Sequence, residues 1–304
     1  MRLRTTAWPV LILAGCGQVT SPGQDGGAGT EIDATVVGGD PDAAPGEPDA
    51  SQPPVGCTWS TPTDADFVNL NGPDLEQSPS FTADGRTVFY TVMPADESVP
   101  PDVWDAVREV DGQPFTGARL VGEVSSDVSE SEVEIAPADD EILFVRDGAV
   151  ILTAARLERG PFGKVEDTGL IGSSPTLSGD GLDIYFLDRS NGSILHASRP
   201  TRADGFGSVD VVGQAGPYLW LDVSANELRM LLSGPEDPET PAIAVAERGS
   251  VDEDFGEPMP AGPVMGDGGF PIPREAKWDG SGTKLVVSAR REDGNTDLFY
   301  SACE

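Results

Sequence analysis

Short apolar and β-branched segments recur along the chain from about residue 60 onward, and they are separated by turn residues. No long stretch repeats its apolar residues every 3.6 positions, so amphipathic helices are not predicted. The first region predicts four strands, at residues 78–82, 87–92, 103–109 and 118–121. Between the first two lies Asp84-Gly85, a pair that favours a tight hairpin turn. This patterning predicts an all-β fold.

A repeat organises these segments into units. A phenylalanine precedes a short extended segment five times, with spacings of 48, 47, 44 and 49 residues, at Phe67, Phe115, Phe162, Phe206 and Phe255. A second signature places an apolar anchor before a tight turn, at Phe81, Ile135, Leu177, Val223 and Trp278. Units of this length with four strands are typical of propeller blades. We therefore expect a single β-propeller of five four-stranded blades, with six as the alternative count.

The number of strands in the last unit predicts how the ring closes. The last unit supplies only three strands, at residues 275–278, 284–290 and 297–303. The missing outer strand is expected from residues 58–70, because closure of the ring leaves no open sheet edge. The same closure predicts a disulfide between Cys57 and Cys303, which suits an exported protein.

Two copies of the repeat carry a family resemblance. The segments SPSFTADGRTVFY (78–90) and SPTLSGDGLDIYF (174–186) resemble the TolB-type propeller repeat, a WD-like blade motif. The resemblance spans most of residues 57–304 and implies the propeller fold. The chain departs from TolB in its expected blade count, five instead of six, and in its N-terminal region. The resemblance therefore implies no TolB-like partner.

The N-terminus has the pattern of a lipoprotein signal. Arg2 and Arg4 precede a short apolar run that ends in Leu13-Ala14-Gly15-Cys16, which resembles the bacterial lipobox. We expect residues 1–15 to be a signal peptide and Cys16 to be acylated, so that the membrane is a partner through this residue. Gly17, in place of Asp, favours the outer membrane of a Gram-negative bacterium, with the domain in the periplasm or at the cell surface.

A low-complexity segment separates this anchor from the propeller. Residues 17–56 contain nine Gly, six Pro and seven acidic residues, with no basic and no aromatic residue. Such a composition cannot bury enough apolar surface to offset the entropy of ordering. We expect residues 16–56 to be a lipidated cysteine followed by a disordered acidic tether.

Charge and the scarcity of histidine exclude several functions. The chain has 19 Lys plus Arg against 52 Asp plus Glu, a formal charge of −33, so a nucleic-acid partner is not expected. The single His196 lies in a strand pattern and is expected to be structural or exposed, and zinc sites built from Cys and His are disfavoured. No cofactor is expected. Calcium stays an open alternative because oxygen ligands abound, although no segment has EF-hand spacing.

Candidate binding residues cluster where the innermost strands should begin, at one mouth of the central channel. These candidates combine aromatic faces, carboxylates and a guanidinium: Glu76, Glu132, Tyr218, Trp220, Arg274 and Glu275. The alternative is that they are solvated loop residues and caps of the channel wall. A second polar set, one residue before each anchor, is expected to line a wet channel: Ser80, Glu134, Thr176, Asp222 and Lys277.

The leading hypothesis is a monomeric, non-catalytic envelope lipoprotein whose propeller binds a protein or a glycan by stacking and charge-assisted hydrogen bonds. No catalytic residue is assigned. One alternative is a glycosidase-like enzyme, which needs two axial carboxyls about 5–10 Å apart. Another is a purely structural envelope spacer.

Overall fold

The computed structural model describes residues 59–110, 112–234, 242–261, 272–279, 284–291 and 294–302. Within these residues the structure is all-β, with five antiparallel sheets arranged as a five-bladed β-propeller, which confirms the predicted fold. The described part of the chain holds no helix with the length and apolarity needed to cross a membrane. The predicted signal peptide and tether, together with Cys16, Cys57 and Cys303, lie outside the described residues.

Each blade runs outward from the axis in chain order. Blade 1 contains β1 (Leu75–Phe81), β2 (Thr87–Met93), β3 (Asp102–Val107) and β4 (Thr116–Leu120). Blade 2 contains β5 (Glu130–Ile135), β6 (Glu141–Arg146), β7 (Val150–Ala155) and β8 (Glu166–Ile171). Blade 3 contains β9 (Ser173–Leu177), β10 (Asp183–Asp188), β11 (Ser193–Ser198) and β12 (Asp210–Gln214). Blade 4 contains β13 (Trp220–Val223), β14 (Arg229–Ser233), β15 (Ile243–Glu247) and β16 (Met259–Pro260). Blade 5 contains β17 (Ile272–Trp278), β18 (Lys284–Arg290) and β19 (Thr296–Ala302).

The first hairpin of blade 1 forms at the predicted Asp84-Gly85 turn. Gly85 has φ of 63°, a left-handed conformation that glycine adopts without strain. The Asp84 carboxylate accepts hydrogen bonds from Thr82 Oγ1 at 2.7 Å and from the Arg86 backbone N–H at 3.0 Å. Although burial opposes the shift, these bonds and the nearby Arg159 lower the pKa of Asp84 to about 2. The Asp84 carboxylate therefore stabilises the turn.

The N-terminal segment completes blade 5, as expected. Thr63 and Tyr300 exchange two backbone hydrogen bonds of 2.8 Å, and the Ser60 N–H donates to the Ala302 carbonyl at 2.8 Å. The extended pairing ends at Thr63, earlier than the predicted boundary of residue 70, because the chain turns over residues 65–70. That turn brings the Phe67 ring to 4.8 Å from the ring of Tyr300. The seam between first and last blades is thus closed by both hydrogen bonds and aromatic packing.

An arginine at the end of the third strand recurs in blades 1 to 4, at Arg108, Arg156, Arg199 and Arg248. Each guanidinium carbon lies 4.4–4.7 Å from the ring centre of the phenylalanine that opens the next segment, at Phe115, Phe162, Phe206 and Phe255. Each Nε also donates to a backbone carbonyl of the first hairpin, over 2.6–3.0 Å. We call this unit the arginine clamp. It ties the inner hairpin of a blade to its outer strand.

The clamp in blade 3 predicts a large cost of truncation. Arg199 is buried and makes a two-pronged ion pair with Glu141, with N–O distances of 2.9 and 2.5 Å. Removal of one partner from a buried ion pair costs about 3–5 kcal/mol, so Arg199→Ala should lower the free energy of unfolding by that amount. Urea denaturation measures it. Arg86→Ala, an exposed arginine on a hairpin at the same end, should change it by less than about 0.5 kcal/mol. Equal losses in the two variants would contradict the role of the clamp.

Candidate functional site

The predicted near-axis set is buried, and its members join neighbouring inner strands. Ser80 Oγ donates to Glu134 Oε2 at 3.0 Å and accepts from the Ile135 N–H at 2.9 Å, which links β1 to β5. Thr176 Oγ1 donates to Asp222 Oδ1 at 2.8 Å, which links β9 to β13. The sequence predicts a wet channel at this level. The structure instead fills it with side chains that satisfy one another.

Lys277 crosses the axis. It lies on β17 in blade 5, and its Nζ donates to Glu134 Oε2 at 2.9 Å and to the Val133 carbonyl at 3.0 Å, both in blade 2. Blades 5 and 2 are not neighbours in the ring. Burial disfavours the charged lysine, but the carboxylates of Glu134, Glu275 and Asp222 outweigh it and raise the pKa of Lys277. The ammonium therefore acts as the counter-ion of a buried acidic cluster.

Two carboxyls around Lys277 have pKa values near neutral pH. Burial raises the pKa of Asp222 to about 7, and the charge of Glu134 adds to the shift while Lys277 opposes it. Burial also raises the pKa of Glu275 to about 6, against the opposing effects of Lys277 and Ser78. Ser78 Oγ donates to Glu275 Oε2 at 2.8 Å, and Glu275 Oε1 is buried with no hydrogen-bond partner among the described residues.

The mouth of the propeller is the end at which the inner strands begin. Glu132 has a φ of 54° at this end of β5, and both of its carboxylate oxygens accept hydrogen bonds. Oε1 accepts from Arg189 Nη2 at 2.7 Å, and Oε2 accepts from the Ser174 N–H at 2.5 Å. Arg189 comes from the loop between β10 and β11, and its guanidinium carbon lies 5.7 Å from the centre of the Trp220 ring. Glu132 and Trp220, both predicted site residues, are thus joined through Arg189.

Sequence reasoning missed Arg189. It follows β10, in a loop that lies outside both repeat signatures. The two signatures therefore assign it no equivalent residue in the other blades. A lone half-exposed arginine is ordinary in a sequence. Only the fold shows that its loop lies over the mouth.

A glycine holds two other predicted residues in place. Gly234, at the end of β14, has φ of 65°, and a Cβ there would overlap the Arg274 carbonyl oxygen and the Trp220 ring. Because residue 234 has no side chain, its backbone can approach both groups closely. Arg274 therefore meets Trp220 through its backbone, one residue before Glu275.

A cavity of about 370 Å³ opens beside this cluster. Leu187 and Arg189 line one side, and Pro217, Tyr218 and Leu219 line the other. Tyr218 is largely buried, and burial raises the pKa of its hydroxyl. The walls also include Asp188 and Asn191, so aromatic and aliphatic surface is combined with a few polar groups, as in small-ligand sites.

Glu76, the remaining candidate, has different neighbours. It is buried, and burial together with the charge of Asp297 raises its pKa to about 8. The charge of Asp74 adds to this rise, and a hydrogen bond from the Gly72 backbone opposes it. No contact between described residues joins Glu76 to the Arg189 cluster, so the structure places it at the seam of blades 1 and 5.

Comparisons with known proteins address the fold. No protein-family profile and no curated protein matches the sequence. The crystal structure of an α-L-arabinofuranosidase from Podospora anserina, in complex with cellotriose, is 11% identical, with a TM-score of 0.57 over 84% of this chain and 99% of that one. The catalytic domain of a GH62 α-L-arabinofuranosidase from Coprinopsis cinerea is 10% identical, with a TM-score of 0.54 over 83% of this chain and 98% of that one. At these identities the likeness shows a shared fold and nothing about activity.

Proposed function

We propose that this chain is a cell-envelope lipoprotein whose propeller binds a protein or a glycan at the mouth, without catalysing a reaction on it. The observation that carries the proposal is the cavity of about 370 Å³ beside the Arg189–Trp220 stack. This site offers a guanidinium and aromatic surface together at the rim of a depression.

The chemistry of the rim suits sugars and peptides. Aromatic faces stack on sugar rings and on peptide side chains, and a guanidinium donates charge-assisted hydrogen bonds to carboxylates or hydroxyls. The carboxylate of Glu132 accepts from Arg189 and Ser174, so both of its oxygens are already engaged within the chain. Because the Glu132 carboxylate is already hydrogen-bonded while the rim of the cavity is open, the site favours ligand binding over acid–base catalysis.

Glu275 supports a second candidate, a glycosidase-like enzyme. Within the part of the chain that the structure describes, its Oε1 is buried without a hydrogen-bond partner. Burial raises its pKa to about 6, and the charge of Glu132 contributes to the shift. Glycoside hydrolysis needs a protonated carboxyl and an ionised one on opposite sides of the scissile bond. In this candidate Glu275 is the acid and Glu132 the base.

Capture from envelope extracts, with wild-type protein against a Trp220→Ala, Arg189→Ala double variant, tests the binding site. We expect the variant to lose a protein or glycan that the wild type retains. Arg86→Ala, at the opposite end of the propeller, should capture the same set as wild type. Identical captured sets from wild type and the double variant would refute the proposed site.

Hydrolysis separates the two candidates. Oligosaccharides captured by, or added to, the wild-type chain should be recovered intact. Turnover that disappears in Glu275→Gln while binding persists would overturn the non-catalytic function in favour of the enzyme. If the chain captures nothing specific and shows no turnover, the remaining function is that of a structural envelope spacer.

The location in the envelope rests on the sequence. The proposed anchor is an acylated Cys16, with the propeller held off the outer membrane by the tether of residues 17–56 and clasped by a Cys57–Cys303 disulfide. Intact-mass measurement of the chain extracted from membranes should give a mature N-terminus at Cys16 carrying acyl chains. Alkylation without reduction should label neither Cys57 nor Cys303. An unmodified Cys16 would contradict the anchor, and two labelled thiols would contradict the clasp.

A further inference from the structure

The only histidine of the chain lies at the end of the propeller opposite the mouth, between blades 3 and 4. Asp183 begins β10, and His196 lies on β11 opposite Tyr185. Glu227 belongs to the turn between β13 and β14 and has φ of 59°. Two paired strands of blade 3 and one turn of blade 4 therefore bring an imidazole and two carboxylates to one place.

The three groups have the spacing of metal ligands. His196 Nε2 lies 2.7 Å from Asp183 Oδ1, and one ligand atom from each of Asp183, His196 and Glu227 lies within 4.8 Å of the other two. Ligands of Zn²⁺ stand about 2.0–2.2 Å from the ion, so small side-chain rotations would place all three around one cation. The side chains of His196 and Asp183 are 24% and 26% exposed, which leaves room for a water ligand.

Neighbouring groups orient the cluster. Tyr185 Oη donates to Glu227 Oε2 at 2.7 Å, and Arg248 Nη2 donates to Tyr185 Oη at 2.9 Å. Arg248 is itself fixed by its arginine clamp, where Nε donates to the Glu227 carbonyl at 2.6 Å. Such outer contacts orient metal ligands in known sites. Arg248 Nη2 also lies 3.6 Å from Glu227 Oε2, and the two carboxylates exceed this guanidinium by one negative charge.

We propose that Asp183, His196 and Glu227 bind a divalent transition metal of the zinc class, through imidazole Nε2 and one oxygen from each carboxylate, with water completing the coordination. One nitrogen and two oxygens suit Zn²⁺, Co²⁺ or Mn²⁺ better than Ca²⁺, which prefers six to eight oxygens. The bound ion would link blade 3 to blade 4. The sequence disfavours a zinc site because it holds no Cys/His cluster, and the spacing of residues 183, 196 and 227 matches no metal-binding motif.

The lone histidine makes the test direct. In the untagged full-length chain, NMR observes a single imidazole, and titration with ZnCl₂ at pH 7 should perturb its signals and saturate at one ion per chain. CoCl₂ should add visible absorption bands with the same stoichiometry. The dissociation constant should rise at least tenfold in His196→Ala and in Glu227→Gln. Glu166→Gln, the same change at an exposed acid of blade 2, should bind as wild type does.

Circular dichroism of each variant keeps folding separate from binding. Unmoved imidazole signals at stoichiometric Zn²⁺ would overturn the site. Equal dissociation constants in folded Glu227→Gln and Glu166→Gln would also overturn it, because the ion would then bind elsewhere on the acidic surface. CaCl₂ serves as the selectivity control, and an equal response to Ca²⁺ would contradict the zinc-class assignment.

Discussion

The ion pair between Lys277 and Glu134 is the interaction on which the closed propeller depends. Five inner strands converge, and the polar residue before each anchor is buried at the axis. Buried carboxylates without a counter-ion destabilise a fold by several kcal/mol each, so Glu134 and Asp222 need a cation that is equally buried. Lys277 supplies it from blade 5 across to blade 2. Because those blades are not neighbours, the pair forms only when the ring has closed in the correct order.

Closure of the axis gives the two ends of the propeller separate chemistries. At the mouth, Arg189 draws the Glu132 carboxylate and the Trp220 ring together beside an open cavity. At the opposite end, the arginine clamps fix the hairpins, and one of them orients the cluster around His196. A ligand at the mouth therefore meets a rim of guanidinium and aromatic surface, and Lys277 and the other near-axis residues that the structure describes are buried at the axis.

The sequence predicts the parts of this molecule that repeat. The phenylalanine spacing predicts five blades, the Asp84-Gly85 pair predicts a hairpin, and the short last unit predicts closure by the N-terminal segment. The register also identifies the near-axis residues, but their burial depends on Lys277 reaching a blade far away in sequence. The arginine of the clamp does recur in the sequence, six or seven residues before the phenylalanine in four blades, but only the folded blade brings its guanidinium to that ring and to the hairpin carbonyl. Arg189 occurs once, in a loop, so no pattern marks it.

A double-mutant cycle on Lys277 and Glu134 tests the central interaction most directly. Lys277→Met and Glu134→Gln keep side-chain length while removing charge, and each should cost about 3–5 kcal/mol of unfolding free energy at pH 7. The double variant should cost less than the sum by about 1–3 kcal/mol, because neither partner is then left buried and unpaired. Losses that add within about 0.5 kcal/mol would contradict the ion pair as the constraint that holds the ring.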